Sequence, residues 1–474
     1  MKVAIPEVLS EKCICFKCVD EPYLKNEIQL QGERRNCSYC HKTAKTYTLD
    51  EIADKMHEAM RVFYERTSDE PSDWEYLKIK EFGDIWIRDG EDIVDVIGEA
   101  AGLPREAAED IQQALEEWHS DFDLSALGEE SEYARGSCYA SKVHDDSRWR
   151  EKWDRFEWSV KHEARFFNAA AKEILLELFE GLDQLRTHRG TPVIRTAGPG
   201  TDLPQLYRAR MFTTPGALHK AMEDPIRQFG PPPPKYATAG RMNSQGVAVF
   251  YGATDRRVAI SEVRPVVGSK VVVAAFEFTR PVRLLDLEAL TSLMGTGSIF
   301  DPVEFERREK LAFLRKLTRL LTTPVMPGEE ELEYLPTQAV ADFLAEKADP
   351  AIDGLQFRSV QFGGKGTNIV LFHKSSTIAP LGLAPGTKLE AELGFETEEY
   401  MSDYSISEVA VKKKAPGMPP AAKSLPMAVL RLNRELITVH DVQAISFVVT
   451  ENAVQWNPLD ETAKFLDEDA VFGS

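Results

Sequence analysis

Apolar and polar positions change their period near residue 190. Before it the spacing is helical. Ile52, Met56, Met60 and Phe63 recur in the run that opens at Leu49, which predicts an amphipathic helix. Residues 93–101 repeat the pattern, and Pro104 is placed to start another helix through Trp118. A long helix is predicted from about Trp149 to Leu185, with Trp153, Phe156, Val160, Ala164 and Phe167 on one face. Residues 120–147 are polar and read as loop. Residues 190–204 hold three Pro and three Gly and read as a linker. Beyond it, residues 247–251, 270–278, 282–287 and 369–373 are rich in Val, Ile and Phe and read as strands. Helices are expected at 303–323 and 337–347, within an insertion at 288–350. Loops are expected over 382–420, strands at 430–439 and 442–449, and a frayed acidic end.

Length adds domain count. A chain of 474 residues exceeds one ordinary domain, and 43% hydrophobic content is enough to bury sizeable cores. A net charge of −20 argues against a general binder of phosphate backbones, so nucleic acid is not expected as a partner. The basic run 307–316 reads as the solvated face of a helix. No stretch of about 18 apolar residues is present, so no membrane partner is expected. The N-terminus has no apolar leader, which places the expectation in the cytoplasm, where cysteines stay reduced.

Cysteine spacing changes the picture of the first 40 residues, which hold five of the six cysteines. Cys15–Cys18 and Cys37–Cys40 are two C-x2-C knuckles separated by 18 residues. Each knuckle presents two thiolates from one turn, and two knuckles complete a tetrahedron. A structural zinc on Cys15, Cys18, Cys37 and Cys40 is therefore expected. Cys13 is an alternative to Cys15, and His41 is redundant.

Chemistry-bearing side chains gather between 204 and 373. The segments are Leu206-Tyr207-Arg208-Ala209-Arg210, Gly240-Arg241-Met242-Asn243, Val249–Ala253, Ala259–Pro265, Phe357–Val360, Gly363-Gly364 and Asn368–Phe372. Arg208 and Arg241 offer planar forks suited to phosphate. Tyr207 and Tyr251 offer rings, Glu262 a carboxylate, Ser359 and Asn368 a hydroxyl and an amide. Thr254 or Asp255 is placed to cap a helix that carries Glu262. Taken singly, each has an ordinary reading: a solvated Glu, a core Tyr, a surface Arg.

Together, an Arg, a Glu and a Ser, each near a strand-like run, resemble the RES family of NAD-degrading bacterial toxin domains. The resemblance covers residues 204–378. It implies an α+β fold, an ADP-ribosyltransferase-like split β-core with NAD+ in a cleft. It implies catalytic roles for Arg208, Glu262 and Ser359, and binding roles for Tyr207, Arg241, Tyr251 and Asn368. NAD+ phosphorolysis or hydrolysis is the implied activity, with an antitoxin or regulatory protein as partner; a homo-oligomer is compatible with it. Transfer of ADP-ribose to a macromolecule and a catalytically inactive scaffold are the alternatives. The N-terminal half is similar to the helical HEPN-type domain found in front of some RES domains. Arg155 and His162 have the Arg–His spacing of HEPN ribonucleases, a further alternative. The expected order is a zinc knuckle at 1–47, a helical bundle at 48–190, a RES domain at 200–385 and a partly β extension at 386–474.

Overall fold

The computed structural model describes residue 9, residues 11–446 except 84, 120–129, 143–144, 296, 324, 327, 397–400, 403 and 411–427, and residues 452 and 454. The expected acidic end at 460–474 lies outside the described residues.

The cysteine-rich segment folds as an antiparallel sheet of order β1 (Cys13–Cys15), β3 (Thr43–Thr48), β2 (Glu33–Asn36), with α1 (Pro22–Gln31) between β1 and β2. Thr48 begins α2 (Leu49–Phe63) through a capping box with Glu51, a device that contributes about 1 kcal/mol. The buried face of α2, Ile52, Met56 and Met60, meets α4 (Ile93–Ala101) and α5 (Arg105–Trp118), and Ile14, Leu24 and Cys37 close the same core. Between them, α3 (Asp73–Phe82) buries none of its residues. The sequence expects loop through 138–141, but that stretch is a strand. β6 (Cys138–Ser141) lies between β4 (Tyr64–Arg66) and β5 (Glu91–Asp92), and such short strands leave no readable period.

The long helix expected from 149 to 185 is two helices, α6 (Ser147–His162) and α7 (Ala169–Phe179). Asn168 ends the continuity by accepting from the backbone of Ala171 as an N-cap. Phe167 sits before it at φ 57° and is fully exposed, so it is not part of the buried face. Trp153, Phe156 and Val160 are buried as expected.

The second half is built on an eight-stranded mixed sheet. Its order is β18 (Leu430–Asp441), β10 (Lys270–Phe278), β8 (Gln205–Phe212), β9 (Phe250–Ala253), β13 (Thr367–Leu371), β12 (Gly354–Arg358), β11 (Val282–Asp286), β7 (Ile194–Ala197). β7 takes part of the expected linker, held as an edge strand on β11. β10 is apolar on both faces because both are covered. Val272, Ala274 and Phe276 pack with α8 (Pro215–Glu223) and α9 (Pro225–Phe229); Val271 and Val273 pack under α10 (Arg256–Glu262). β11 and β12 are parallel, so the chain between them must cross over. The insertion is that crossover, with α11 (Leu287–Leu290), α12 (Glu304–Thr322), α13 (Glu330–Glu333) and α14 (Leu335–Glu346). α12 and α14 share a core with α6 and α7, into which Trp149, Trp153, Leu175, Leu314, Leu317, Val340 and Leu344 project. Within the tail, β14 (Thr387–Glu392) pairs β17 (Ser405–Ala410), and β15 (Phe395–Glu396) pairs β16 (Met401–Ser402), in place of continuous loop. Residues 442–446 form no strand, and 447–449 lie outside the described residues.

Candidate active site

β8 and β9 are neighbours but share a single ladder pair, Tyr207 with Ala253. β8 is paired along its length to β10, and β9 to β13. The two strands therefore diverge, and a cavity of 380 Å³ opens where the sheet splits. Tyr207, Arg208, Arg210, Arg241, Met242, Tyr251, Phe357, Asn368 and Glu262 are among its lining residues. The split lets one cavity take side chains from both faces of the sheet.

Arg208 is 6% exposed, and its guanidinium lies 5.0 Å from the Phe250 ring centroid. Its Nε and Nη1 are buried without a hydrogen-bond partner among the described residues. Burial drives this group well below the ordinary guanidinium range, and Arg210 pushes in the same direction. Burying a cation without hydrogen-bond partners is costly, and an anion is the class of ligand that would offset that cost. Three arginines face one carboxylate here, reversing the sign of the whole chain.

Glu262 occupies the last position of α10. Asp255 starts that helix by accepting from the backbone of Arg257 at 2.7 Å. Arg264, at φ 45° and followed by Pro265, prevents its continuation. An acidic group at a helix C-terminus opposes the dipole by about 0.3–1 kcal/mol, and two donors offset this. Ser359 Oγ donates to Glu262 Oε1 at 2.5 Å, and Asn368 Nδ2 donates to the same oxygen at 2.7 Å. Ser359 is wholly enclosed and does not line the cavity; its reach into the site is through Glu262. It sits at the start of a loop in which Gly363, Gly364 and Gly366 all have positive φ. Gly366 is also pressed against α10, where a Cβ would lie 2.3 Å from Val258 Cγ2.

Tyr251 presents its ring at 37% exposure, while its hydroxyl accepts from Met242 N at 3.2 Å and donates to Asn243 Oδ1 at 3.3 Å. Burial pushes the phenol up to about 12. Tyr207 accepts from Gln205 Nε2 at 2.6 Å, and Arg256 stacks on its ring at 5.3 Å. Arg241 Nη1 donates to Leu321 O at 3.2 Å. Six of the seven residues singled out in the sequence thus line the cavity, and Ser359 backs it. Phe357 and Arg210 line it too. Phe357 is signalled by its ladder pairing with Asn368, which puts both on one sheet face, and that pairing is visible only in the fold.

Cys15, Cys18, Cys37 and Cys40 bring their sulfurs within 4.8 Å of one another. Sγ–Sγ separations are 3.8 Å for Cys15–Cys18, 3.6 Å for Cys15–Cys40 and 3.9 Å for Cys18–Cys37. Zn–S bonds near 2.3 Å in a tetrahedron require sulfurs about 3.8 Å apart, so the set is compatible with a structural zinc. Cys13 is outside the set; its thiol donates to Asn36 O. His41 is the residue at φ 56° that turns the second knuckle.

Arg155 and His162 are both exposed on α6. His162 Nδ1 lies 3.1 Å from Trp158 O, and its ring stacks on Trp158. Neither residue lines the split-sheet cavity.

Comparison with known families agrees with this architecture. Residues 205–385 match the RES domain, and residues 30–173 match HEPN/RES N-terminal domain 1. The chain carries a RES domain behind a HEPN/RES N-terminal domain. No curated protein matches it. Among the described residues no helix is long and apolar enough to cross a membrane.

Proposed function

We propose that the protein cleaves NAD+ at the nicotinamide–ribose bond, as a toxin or anti-phage effector. The RES match supports action on NAD at the family level. The single observation that carries the reading further is Arg208, a buried guanidinium in the split of the sheet whose Nε and Nη1 have no hydrogen-bond partner among the described residues. A diphosphate supplies the missing acceptors in the geometry a guanidinium prefers.

In this reading Arg208 holds the diphosphate and Arg241 contributes a second fork. Tyr251 and Tyr207 give ring surfaces for the nicotinamide riboside. The bond pair between ribose C1′ and nitrogen leaves with neutral nicotinamide, and C1′ becomes an oxocarbenium-like cation. Glu262 stabilises that cation, with the electrostatic effect strengthened in an enclosed site. Water or phosphate then forms the new bond to C1′; water loses its proton and gives ADP-ribose. Ser359 and Asn368 are positioning residues, fixing the Glu262 carboxylate against the helix dipole. The four-cysteine cluster holds zinc with all positions filled by protein, a structural and not a catalytic site.

The test is incubation of the purified protein with NAD+, with and without phosphate, and chromatography of the products. Nicotinamide release that needs phosphate marks a phosphorylase; phosphate-independent ADP-ribose marks a glycohydrolase. ADP-ribose found only on a macromolecule marks a transferase. Intact NAD+ under every condition contradicts the reading.

A further inference from the structure

Arg241 lies in a loop outside any helix or strand, yet the crossover insertion holds it at four points. Its guanidinium donates to Leu321 O and stacks on Tyr334 at 5.1 Å. Its own carbonyl accepts from Thr337 Oγ1 at 2.6 Å, and the carbonyl of Gly240 accepts from Gln338 Nε2 at 2.8 Å. Thr337 and Gln338 are buried polar residues, so their hydrogen bonds are expensive to break. The loop is closed by paired backbone bonds between Gly240 and Asn243. Gly240 has no room for a side chain: a Cβ would lie 2.7 Å from Asn243 Oδ1 and 3.2 Å from Tyr251 Oη. Tyr251 is anchored on this same loop through Met242 N and Asn243 Oδ1. The insertion therefore fixes Arg241 directly and Tyr251 through the loop.

The insertion is itself held from the other side. Its helices α12 and α14 share one core with α6 and α7. Next to Tyr334, Glu333 accepts from Lys161 of α6 through both oxygens, at 2.9 and 2.8 Å. A continuous set of contacts runs from α6 through Glu333 and Tyr334 to the cavity arginine.

We propose that Tyr334, Thr337 and Gln338 are positioning residues for Arg241 in dinucleotide binding, and that through them the site depends on the N-terminal helices. The proposal rests on the NAD reading given above. It places the insertion's contribution in substrate binding: Arg241 grips the ground state and the transition state alike, so its loss of register raises KM and leaves kcat near its starting value.

The experiment is steady-state NAD+ cleavage and calorimetric titration with ADP-ribose on full-length wild type, Tyr334→Ala, Tyr334→Phe, Gln338→Ala and Lys161→Ala. Tyr334→Ala and Gln338→Ala are expected to raise KM and weaken ADP-ribose binding about 10-fold, the range of one cation–π or buried hydrogen-bond contact. Tyr334→Phe keeps the stacking ring and is expected to bind as wild type does. Lys161→Ala removes a partly buried ion pair with Glu333 and is expected to fold with a smaller rise in KM. An active wild type with unchanged KM and ADP-ribose affinity in Tyr334→Ala and Gln338→Ala overturns the proposal alone. Equal losses in Tyr334→Ala and Tyr334→Phe, or a fall in kcat at constant KM, overturn it too. A folded wild type that neither cleaves NAD+ nor binds ADP-ribose overturns the underlying reading as well.

Discussion

Arg208 is 6% exposed, and its Nε and Nη1 have no hydrogen-bond partner among the described residues. Desolvation and the neighbouring Arg210 disfavour the Arg208 charge, with the Phe250 ring and Tyr251 acting the other way, and the balance is expected to lower the stability of the unliganded protein. Two outcomes are expected. Saturating ADP-ribose raises the melting temperature of the wild type, by an amount equivalent to about 2.7 kcal/mol at 100 times Kd. Arg208→Met melts above the unliganded wild type and no longer responds to ADP-ribose. Thermal melts of both proteins with and without ligand check this, and an Arg208→Met protein that melts lower and still responds contradicts it. The sequence names Arg208 as a phosphate-binding candidate through its neighbours, but not its burial. On a strand, Arg208 alone reads as a surface cation. Its enclosure arises because β8 and β9 diverge after one ladder pair, a pairing that joins distant segments. The position of Ser359 was hidden for the same reason: whether that hydroxyl faces substrate or backs Glu262 depends on how a glycine-rich loop folds over α10.

At the scale of elements, legibility followed local signals. α2 was readable from the helical spacing of Ile52, Met56, Met60 and Phe63, and the capping box of Thr48 and Glu51 that starts it emerged with the fold. β10 was readable because nine residues are nearly continuously apolar. The break between α6 and α7 carries a signal, Asn168, but the apolar spacing runs through it and masks it. β7 was not readable, since Pro and Gly flank a short edge strand whose partner is almost 90 residues away. The two cysteine knuckles were readable from spacing alone. Because Cys15 and Cys37 belong to the same core as α2, α4 and α5, zinc is expected to stabilise the helices as well as the knuckles. Purified protein is expected to contain about one zinc per chain. A Cys18→Ser, Cys40→Ser double variant is expected to lose it and to melt its N-terminal helices at lower temperature. Elemental analysis and circular dichroism decide this; a metal-free protein with an unchanged melt contradicts it.

Over the whole molecule, the cores do not follow the order of the chain. α6 and α7 precede the RES strands in sequence, yet Trp149, Trp153 and Leu175 pack with Leu314 and Leu344 of the crossover. Arg308 of α12 also stacks on Phe63 of α2 at 4.6 Å. A fragment beginning at residue 190 is therefore expected to expose the apolar faces of α12 and α14 and to aggregate. A fragment beginning near residue 145 is expected to stay soluble and keep ADP-ribose binding. Size-exclusion chromatography of the two fragments separates these outcomes; a soluble, monodisperse fragment from 190 contradicts the shared core. In the proposed function the split-sheet cavity breaks the nicotinamide–ribose bond with Glu262 as its electrostatic partner. The most direct measurement is nicotinamide release from NAD+ by the wild type and by Glu262→Gln, with ADP-ribose binding measured on both. The expected result is release by the wild type, a loss on the order of 100- to 1000-fold in the variant, and retained ADP-ribose binding by both. Equal release by the two proteins, or none from a wild type that binds ADP-ribose, would contradict it.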